Sequence, residues 1–318
     1  MLIVGGAGYV GGAVTDALAG SNHEIRVYDA LFYEESYRKP VDFVFGDVRD
    51  TARLQPQLDW ADAVVWLAAL VGDAACALNP DVSAAINQEA TGYLAQNFAG
   101  RIVFMSTCSV YGARDGMLDE GSPTGPLSVY AVTKLEAEKH LADKNAVIFR
   151  LGTLFGVGDM FSRIRLDLVV NTMVVRAHQQ GKIAVYGGDQ FRPLLHVRDA
   201  ARAITDNLQS PATGIYNLQK QNVRIVDLAY QVRNHFPDIS VEMTERKFED
   251  TRNYRVSSEK AAGELGFKPS FSIDTGIEEV KELLVSGRLL DTENPRYTNQ
   301  KALTTFNSHI RGQYGNCD

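Results

Sequence analysis

The chain has 318 residues and a net charge of −7, long enough for one large domain or two intimate ones with a real core. The charge has the wrong sign for general binding to nucleic acid or an anionic membrane. No apolar run reaches the roughly 18–20 residues of a membrane span, and no charged region precedes the first apolar stretch as a signal peptide requires. The cysteines Cys76, Cys108 and Cys317 are odd in number and far apart, which suggests neither a disulfide framework nor a metal site and fits a reducing cytoplasm.

Leu2–Val4 is a short apolar strand that runs straight into glycines at Gly5, Gly8 and Gly11, spaced G-x-x-G-x-x-G. Val14, Ala17 and Leu18 give the next stretch a helical period. Short apolar strands are then expected at residues 25–28, 43–45, 63–67, 102–106 and 147–150, with helical patterns notably at 81–98 and 130–142. This alternation predicts an α/β fold, a Rossmann-type doubly wound parallel sheet covered on both faces. After about Gly156 the pattern loosens. A loop and long helix are expected over 161–180, a strand at 183–186, a helix at 197–208, a strand at Gly214–Leu218, an amphipathic stretch at 223–236 and a helix opening at 257–265. The tail after about Asn294 is polar and poorly periodic and reads as a surface arm or a partly disordered segment.

A strand, a tight glycine turn and a helix N-terminus make a dinucleotide cradle, here Gly5, Gly8, Tyr9, Val10 and Gly11. Glycine admits a pyrophosphate close to the backbone, and the helix start offers it unpaired N–H groups and partial positive charge. Asp29 ends the second strand, 18 residues after Gly11. A carboxylate there accepts bonds from the adenosine ribose hydroxyls and repels a 2′-phosphate, so NAD is expected over NADP. Asp47 and Val48 follow the third strand, where they meet the adenine edge. Leu67, Ala68 and Ala69 follow the fourth, where small side chains admit the cofactor.

The fifth strand leads into Thr107-Cys108-Ser109-Val110-Tyr111-Gly112, and Tyr130-Ala-Val-Thr-Lys134 opens a helix. A Tyr and a Lys four apart share a helical face. The Lys134 ammonium is expected to lower the Tyr130 phenol from its ordinary value near ~10, making it a base for a sugar hydroxyl. Thr107 can bond the same substrate oxygen.

In this order, the glycine turn, the Ser/Thr-rich strand end and Y-x-x-x-K resemble the nucleotide-sugar epimerase/dehydratase family of extended short-chain dehydrogenases/reductases. The resemblance covers roughly residues 1–290. It implies a catalytic triad of Thr107, Tyr130 and Lys134, with Tyr130 and Lys134 also contacting the cofactor, NAD as that cofactor and a nucleoside-diphosphate sugar as substrate. It also implies a smaller, discontinuous C-terminal substrate domain. The expected division is residues 1–155 for NAD, with 195–220 returning to it, residues 156–194 and 221–293 for substrate, and 294–318 as an arm. Residues 190–199, Q-F-R-P-L-L-H-V-R-D, resemble a family segment whose arginine pairs with the sugar-nucleotide diphosphate, which puts Arg192 on phosphate. Arg252 or Arg255 is a second phosphate arginine, and His196 reads as structural. Asn171 resembles an asparagine that contacts the nucleotide, or is an ordinary helix cap. Thr153 stands where the family often has a substrate-facing asparagine. The resemblance further implies a homodimer built on helices 81–98 and 130–142.

Cys108-Ser109 is the telling departure. Family 4,6-dehydratases carry Asp-Glu there, the acid and base that expel water. Their absence argues for C4 redox chemistry through a 4-keto sugar, with Cys108 and Ser109 on the pocket wall and Cys76 in the core. Residues 70–79 and 155–165 are expected to line the sugar pocket. Epimerisation is the first expectation. A net C4 dehydrogenase or 4-ketoreductase is the second, and an NAD(H)-sensing regulator without turnover is a remote third.

Overall fold

The computed structural model describes residues 1–159, 161, 163–244 and 253–305. Its centre is a seven-stranded, all-parallel sheet. The strands are β1 (Leu2–Val4), β2 (Arg26–Asp29), β3 (Asp42–Phe45), β4 (Ala63–Trp66), β5 (Arg101–Thr107), β6 (Ala146–Leu151) and β7 (Gly214–Leu218), in the order β7-β6-β5-β4-β1-β2-β3. The chain starts in the middle, winds outward to β3, then returns across β4 to wind the other way. That reversal beside β1 leaves a crevice at the C-terminal strand ends, where such sheets bind ligands.

Alternate residues of each strand feed opposite faces. Ile3, Val27, Val65, Val103 and Phe149 pack under the helices Tyr9–Ala17 and Val197–Asp206. Leu2, Val4, Tyr28, Trp66, Ile102 and Phe104 pack against Leu54, Leu94 and Ala137 from the helices on the other side. Both faces are dry, which is why these strands read as unbroken apolar runs rather than alternating ones.

A smaller lobe packs around the helices Val169–Gln180, Ile225–His235 and Ile273–Val285, with its own apolar cluster of Val170, Val174, Ile183, Leu228, Ile277 and others. Its strand Phe191–His196 runs parallel to Thr153–Phe155 and antiparallel to Gln221–Arg224.

Two expectations are corrected. The helix expected over 81–98 is broken into Pro80–Ala84, a π-turn Ala85–Glu89 and Ala90–Asn97. The π-turn carries Asn87, whose Oδ1 accepts the Leu70 N–H at 2.8 Å and whose Nδ2 donates to Thr133 Oγ1 at 3.1 Å. It thereby ties the β4 loop to the helix of Tyr130. The polar tail, over residues 294–305, is packed rather than a surface arm. Asn299 is buried, and Leu303 joins the cluster that holds Leu2 and Trp66. Among the described residues no helix is long and apolar enough to cross a membrane, and no three metal-ligating side chains stand together.

Candidate active site

A cavity of about 1650 Å³ runs along the C-terminal ends of the central strands and under the smaller lobe. Gly5, Gly8, Tyr9, Val10 and Gly11 form its floor. Two of these glycines are demanded by close approach. Gly5 has φ +84°, and a Cβ there would sit 2.4 Å from Ala68 N, because both Leu67 and Ala68 donate to the Val4 carbonyl. A Cβ on Gly11 would fall 2.4 Å from the Gly6 carbonyl oxygen. A Cβ on Gly8 would meet only the Gly5 carbonyl, at 3.3 Å, and otherwise face open space. No side chain caps the helix that starts at Tyr9, so its first N–H groups are left for an anion. The cradle fits a dinucleotide diphosphate.

Asp29 lines the cavity beside this turn. Its carboxylate accepts the Ala7 N–H at 3.0 Å and the Leu31 N–H at 2.7 Å. Burial raises its pKa, and the two N–H bonds oppose the rise. Each oxygen keeps a lone pair for a ribose hydroxyl. Asp47 and Val48 also line the cavity, but Arg49 already grips the Asp47 carboxylate, with its closest nitrogen at 2.6 Å. Leu67, Ala68 and Ala69 form the wall at the end of β4.

Thr107 ends β5, and its Oγ1 accepts the Ser109 N–H at 3.1 Å, capping the turn Cys108–Tyr111. Across from it, Ser128 caps the helix Val129–His140 through the Ala131 N–H at 3.2 Å, and its hydroxyl donates to Asp73 at 2.6 Å. This fixes Tyr130 in the first turn, with its hydroxyl hydrogen-bonded to Thr107. Lys134, one turn on, is 3% exposed, with Nζ 4.3 Å from the centre of the Phe104 ring. Beneath them lies a buried polar network. Glu138 accepts from the Ser106 hydroxyl and from Arg150 at 2.7 Å; Arg150 donates to the Tyr111 hydroxyl at 2.9 Å, and Tyr111 to Asn217 at 2.8 Å.

The expected electrostatics of the tyrosine need correction. Burial dominates and pushes the Tyr130 phenol up; the Arg165 guanidinium and the Thr107 hydrogen bond oppose it. Lys134 is itself pushed down to about 7 by burial, with Glu138 opposing. Near neutrality the lysine therefore carries only part of a charge, and a desolvated phenol gains little from it. Arg165 is the stronger cation here.

Ser109, Thr153 and Arg192 line the same cavity. Cys108 does not: it is fully buried, donates to the Arg150 carbonyl at 3.2 Å and packs with Tyr111 and Tyr254. Cys76 lies in the core beneath Leu70. Asn171 does not face the cavity either. It is fully buried inside a helix whose cap is Leu168, and its amide bonds both backbone groups of Gly156 and the Arg165 carbonyl. Arg255 lies over the Phe191 ring at 5.0 Å, away from the cavity. Arg252 is outside the described residues. His196 is buried against Glu279 at 2.8 Å and Phe271, and burial pushes it down to about 3, so it is neutral.

Asp73, Arg163 and Arg165 fall in the stretches expected to line the pocket but had no role assigned, and Tyr254 was not singled out at all. Asp73 holds the cap of the Tyr130 helix. Tyr254, three residues after Thr251, meets Ser109 with hydroxyls 3.4 Å apart. Arg163 and Arg165 add positive charge from the opposite wall. The alternating S-R-I-R-L-D of residues 162–167 was the available signal, since two arginines two apart before a helix suit one side of a loop.

A family model described as the NAD dependent epimerase/dehydratase family matches residues 1–218. A UDP-glucose 4-epimerase of Corynebacterium glutamicum is 27% identical over 300 residues, covering 85% of this chain and 90% of that protein. A dTDP-glucose 4,6-dehydratase of an Actinoplanes species is 26% identical over 311 residues, covering 88% and 95%. The solved structure of DesIV, a dTDP-glucose 4,6-dehydratase from Streptomyces venezuelae with NAD bound, matches with a TM-score of 0.77 at 26% identity, over 94% of this chain and 99% of that one.

Proposed function

The chain belongs to the NAD dependent epimerase/dehydratase family, and on that premise we propose that it is an epimerase that inverts C4 of a nucleoside-diphosphate sugar. NAD is its cofactor, and the chain is an enzyme of the extended short-chain dehydrogenase/reductase type. When bound, NAD takes a hydride from C4 and can give it back. Gly5, Gly8 and Gly11 with the helix start hold its diphosphate, and Asp29 its adenosine ribose. With Arg165 and the cationic nicotinamide of bound NAD opposing burial, Tyr130 would be held as the phenolate; it accepts the C4 hydroxyl proton as the C–H bond is lost, and returns it when the ketone is reduced on its other face. Thr107 bonds the same oxygen and fixes its distance from the phenol. Arg192, 5% exposed in the cavity wall, holds the sugar nucleotide's diphosphate through both turns of the cycle.

The observation that carries this reading is the wall made by Thr107, Tyr130 and Ser109. The residue after Thr107 turns into the core as Cys108, and the next faces the cavity as an uncharged hydroxyl. That position supplies no carboxylate for elimination, which favours returning the hydride over losing water. Net C4 oxidation or 4-ketoreduction uses the same residues and is the second reading. The test is absorbance at the NADH wavelength together with product NMR, over UDP-, dTDP-, GDP- and CDP-sugars. An inverted C4 with no net NADH supports the epimerase; stoichiometric NADH supports the dehydrogenase; a 4-keto-6-deoxy product overturns both.

The helix Val129–His140 exposes Val132, and Leu78 is exposed nearby in sequence to Pro80–Ala84, at 42% and 40% respectively. Apolar side chains of this kind support a homodimer through these helices. A monomer in light scattering would rule that out. Among the described residues, Cys76 and Cys108 are free and buried, which accords with a reducing cytoplasm.

A further inference from the structure

The segment from Thr292 to Leu303 passes from one lobe to the other. At its start the Gln179 amide, on a helix of the smaller lobe, donates to the Thr292 hydroxyl at 2.6 Å, and Tyr297 packs on that lobe's apolar cluster. At its end Leu303 lies with Leu2 and Trp66 against the central sheet. Between them Thr298, Asn299, Gln300 and Lys301 line the cavity.

Its polar bonds fall on three loops. Arg296 pairs with Glu34, in the loop after β2. Asn299 Nδ2 donates to the Val71 carbonyl, in the loop after β4, at 2.6 Å. Toward the smaller lobe, the Leu166 N–H donates to the Tyr297 carbonyl at 3.0 Å and the Asn299 N–H to Asp167 at 2.8 Å. Arg163 donates to the Arg296 carbonyl at 2.7 Å and to Asn299 Oδ1 at 2.6 Å. The nearby carboxylates are engaged, Asp167 by Arg165 at 2.9 Å and Glu34 by Arg296. Arg163 thus has no counter-charge of its own among the described residues and is bonded to two neutral acceptors, both in this segment. Asn299 is 3% exposed and bonds the loop after β4 and the smaller lobe at once.

β2 and β4 flank β1 in the sheet, and the glycine turn leaves β1 between them. Two strand spacings are about 10 Å, which two residues three apart, one of them a long arginine, can cover. Arg296 and Asn299 therefore fasten the segment to both banks of the crevice. On the reading above, the dinucleotide lies in the same direction, from Asp29 at the end of β2 towards Tyr130, on the far side of β4. All the segment's bonds join protein to protein, so contacts that do not involve the cofactor hold it in place.

We propose that residues 292–303 form a strap across the cofactor crevice, with Arg296 and Asn299 as its clasps, and that the strap must open for NAD to enter or leave. This deepens the epimerase reading and rests on it. A hydride lent to the cofactor is returned only while cofactor and keto sugar stay together. Arg296 and Asn299 are positioning residues: they hold the loops that follow Asp29 and Leu67–Ala69. A gate held shut in this way slows entry and exit alike, whereas a lost cofactor contact speeds exit alone.

The full chain, freed of bound nucleotide, is mixed rapidly with NADH, whose fluorescence reports binding. Release is followed by chasing the complex with excess NAD, and melting is recorded without ligand. Arg296→Glu, which sets two carboxylates against each other, and Asn299→Ala are each expected to speed both association and release by about tenfold or more. The dissociation constant should move by less than either rate. Glu34→Arg added to Arg296→Glu should restore the slow rates. The Arg296 side chain is 30% exposed, so Arg296→Glu should melt close to the wild type, which separates an open strap from a loosened fold. Unchanged rates in Arg296→Glu overturn the strap. Faster release at unchanged association overturns it too, since these residues would then support a cofactor contact and gate nothing. A wild type that binds UDP, dTDP, GDP or CDP and not NADH or NAD would sink the cofactor reading, and this proposal with it.

Discussion

The two walls of the cavity are built differently. The wall of Thr107, Tyr130 and Lys134 stands on regular elements: a strand end and one face of a capped helix. The network of Ser106, Glu138, Arg150 and Tyr111 braces both from below. The opposite wall of Arg163, Arg165 and Arg192 comes from a loop and a short strand of the smaller lobe, and the C-terminal segment holds Arg163. The first wall has its geometry fixed by secondary structure. The second has its charge set by which loops happen to meet. Chemistry that depends on an interatomic distance sits on the rigid wall. Binding of flexible, charged diphosphates sits on the assembled one, where long guanidinium side chains absorb small errors in position.

The contrast breaks most sharply at Tyr130. Tyr130→Phe is expected to lower turnover of the responsive nucleotide sugar by about 10³-fold, the loss of a positioned acid/base. NAD affinity measured by titration should change by far less, since the glycine turn and Asp29 supply most of the contacts to the cofactor. An equal loss of binding would mean the two walls are not separable.

The brace comes next. Glu138 and Arg150 are 4% and 3% exposed. Glu138→Gln leaves a buried guanidinium short of its counter-charge, so chemical denaturation should show a loss of about 3–5 kcal/mol. A loss near zero would show that the rigid wall does not depend on its network.

Lys134 sharpens the comparison through pH. Its ordinary value is 10.5 and burial brings it to about 7. Between those values the unfolded chain holds a proton that the folded chain has released. Its contribution to stability therefore rises with pH across that window and is at its worst below about 7. Lys134→Met should melt higher than the wild type near pH 6, and the difference should close towards about pH 10. A difference that does not change with pH would mean the lysine is charged when folded.

The smallest effect is at Asn171. Its amide holds Gly156 and Arg165 backbone groups rather than facing the ligand. Asn171→Ala should cost about 1–3 kcal/mol of stability by leaving those groups unsatisfied, with little change in KM for the sugar nucleotide. A large rise in KM at full stability would return Asn171 to the binding site.

Much of the rigid wall was legible in the chain. A glycine turn between an apolar strand and a helix, an acid at the next strand end and a Tyr-Lys pair one helical turn apart are local patterns. Their geometry follows from strand and helix periods that neighbouring residues set. β1 and β7 were read to the residue, and the other sheet strands to within one residue at most ends. The π-turn at Asn87 was not legible, because it is fixed by the buried bonds of Asn87 to Leu70 and Thr133, partners 17 and 46 residues away that no local period reports.

The tertiary structure decided the rest. Whether Cys108 or Ser109 faces the cavity depends on how a short turn is capped. Whether Asn171 is a ligand contact or a backbone clamp depends on where Gly156 comes to lie. Burial outweighs the neighbouring lysine at Tyr130, and no spacing in sequence reports burial. Arg163 meets Asn299 across 136 residues of chain, and its missing counter-charge exists only once every nearby carboxylate has found its partner. Local periodicity fixes what lies within a few residues, while long-range contacts and the loss of solvent decide the charge and reactivity of what they enclose.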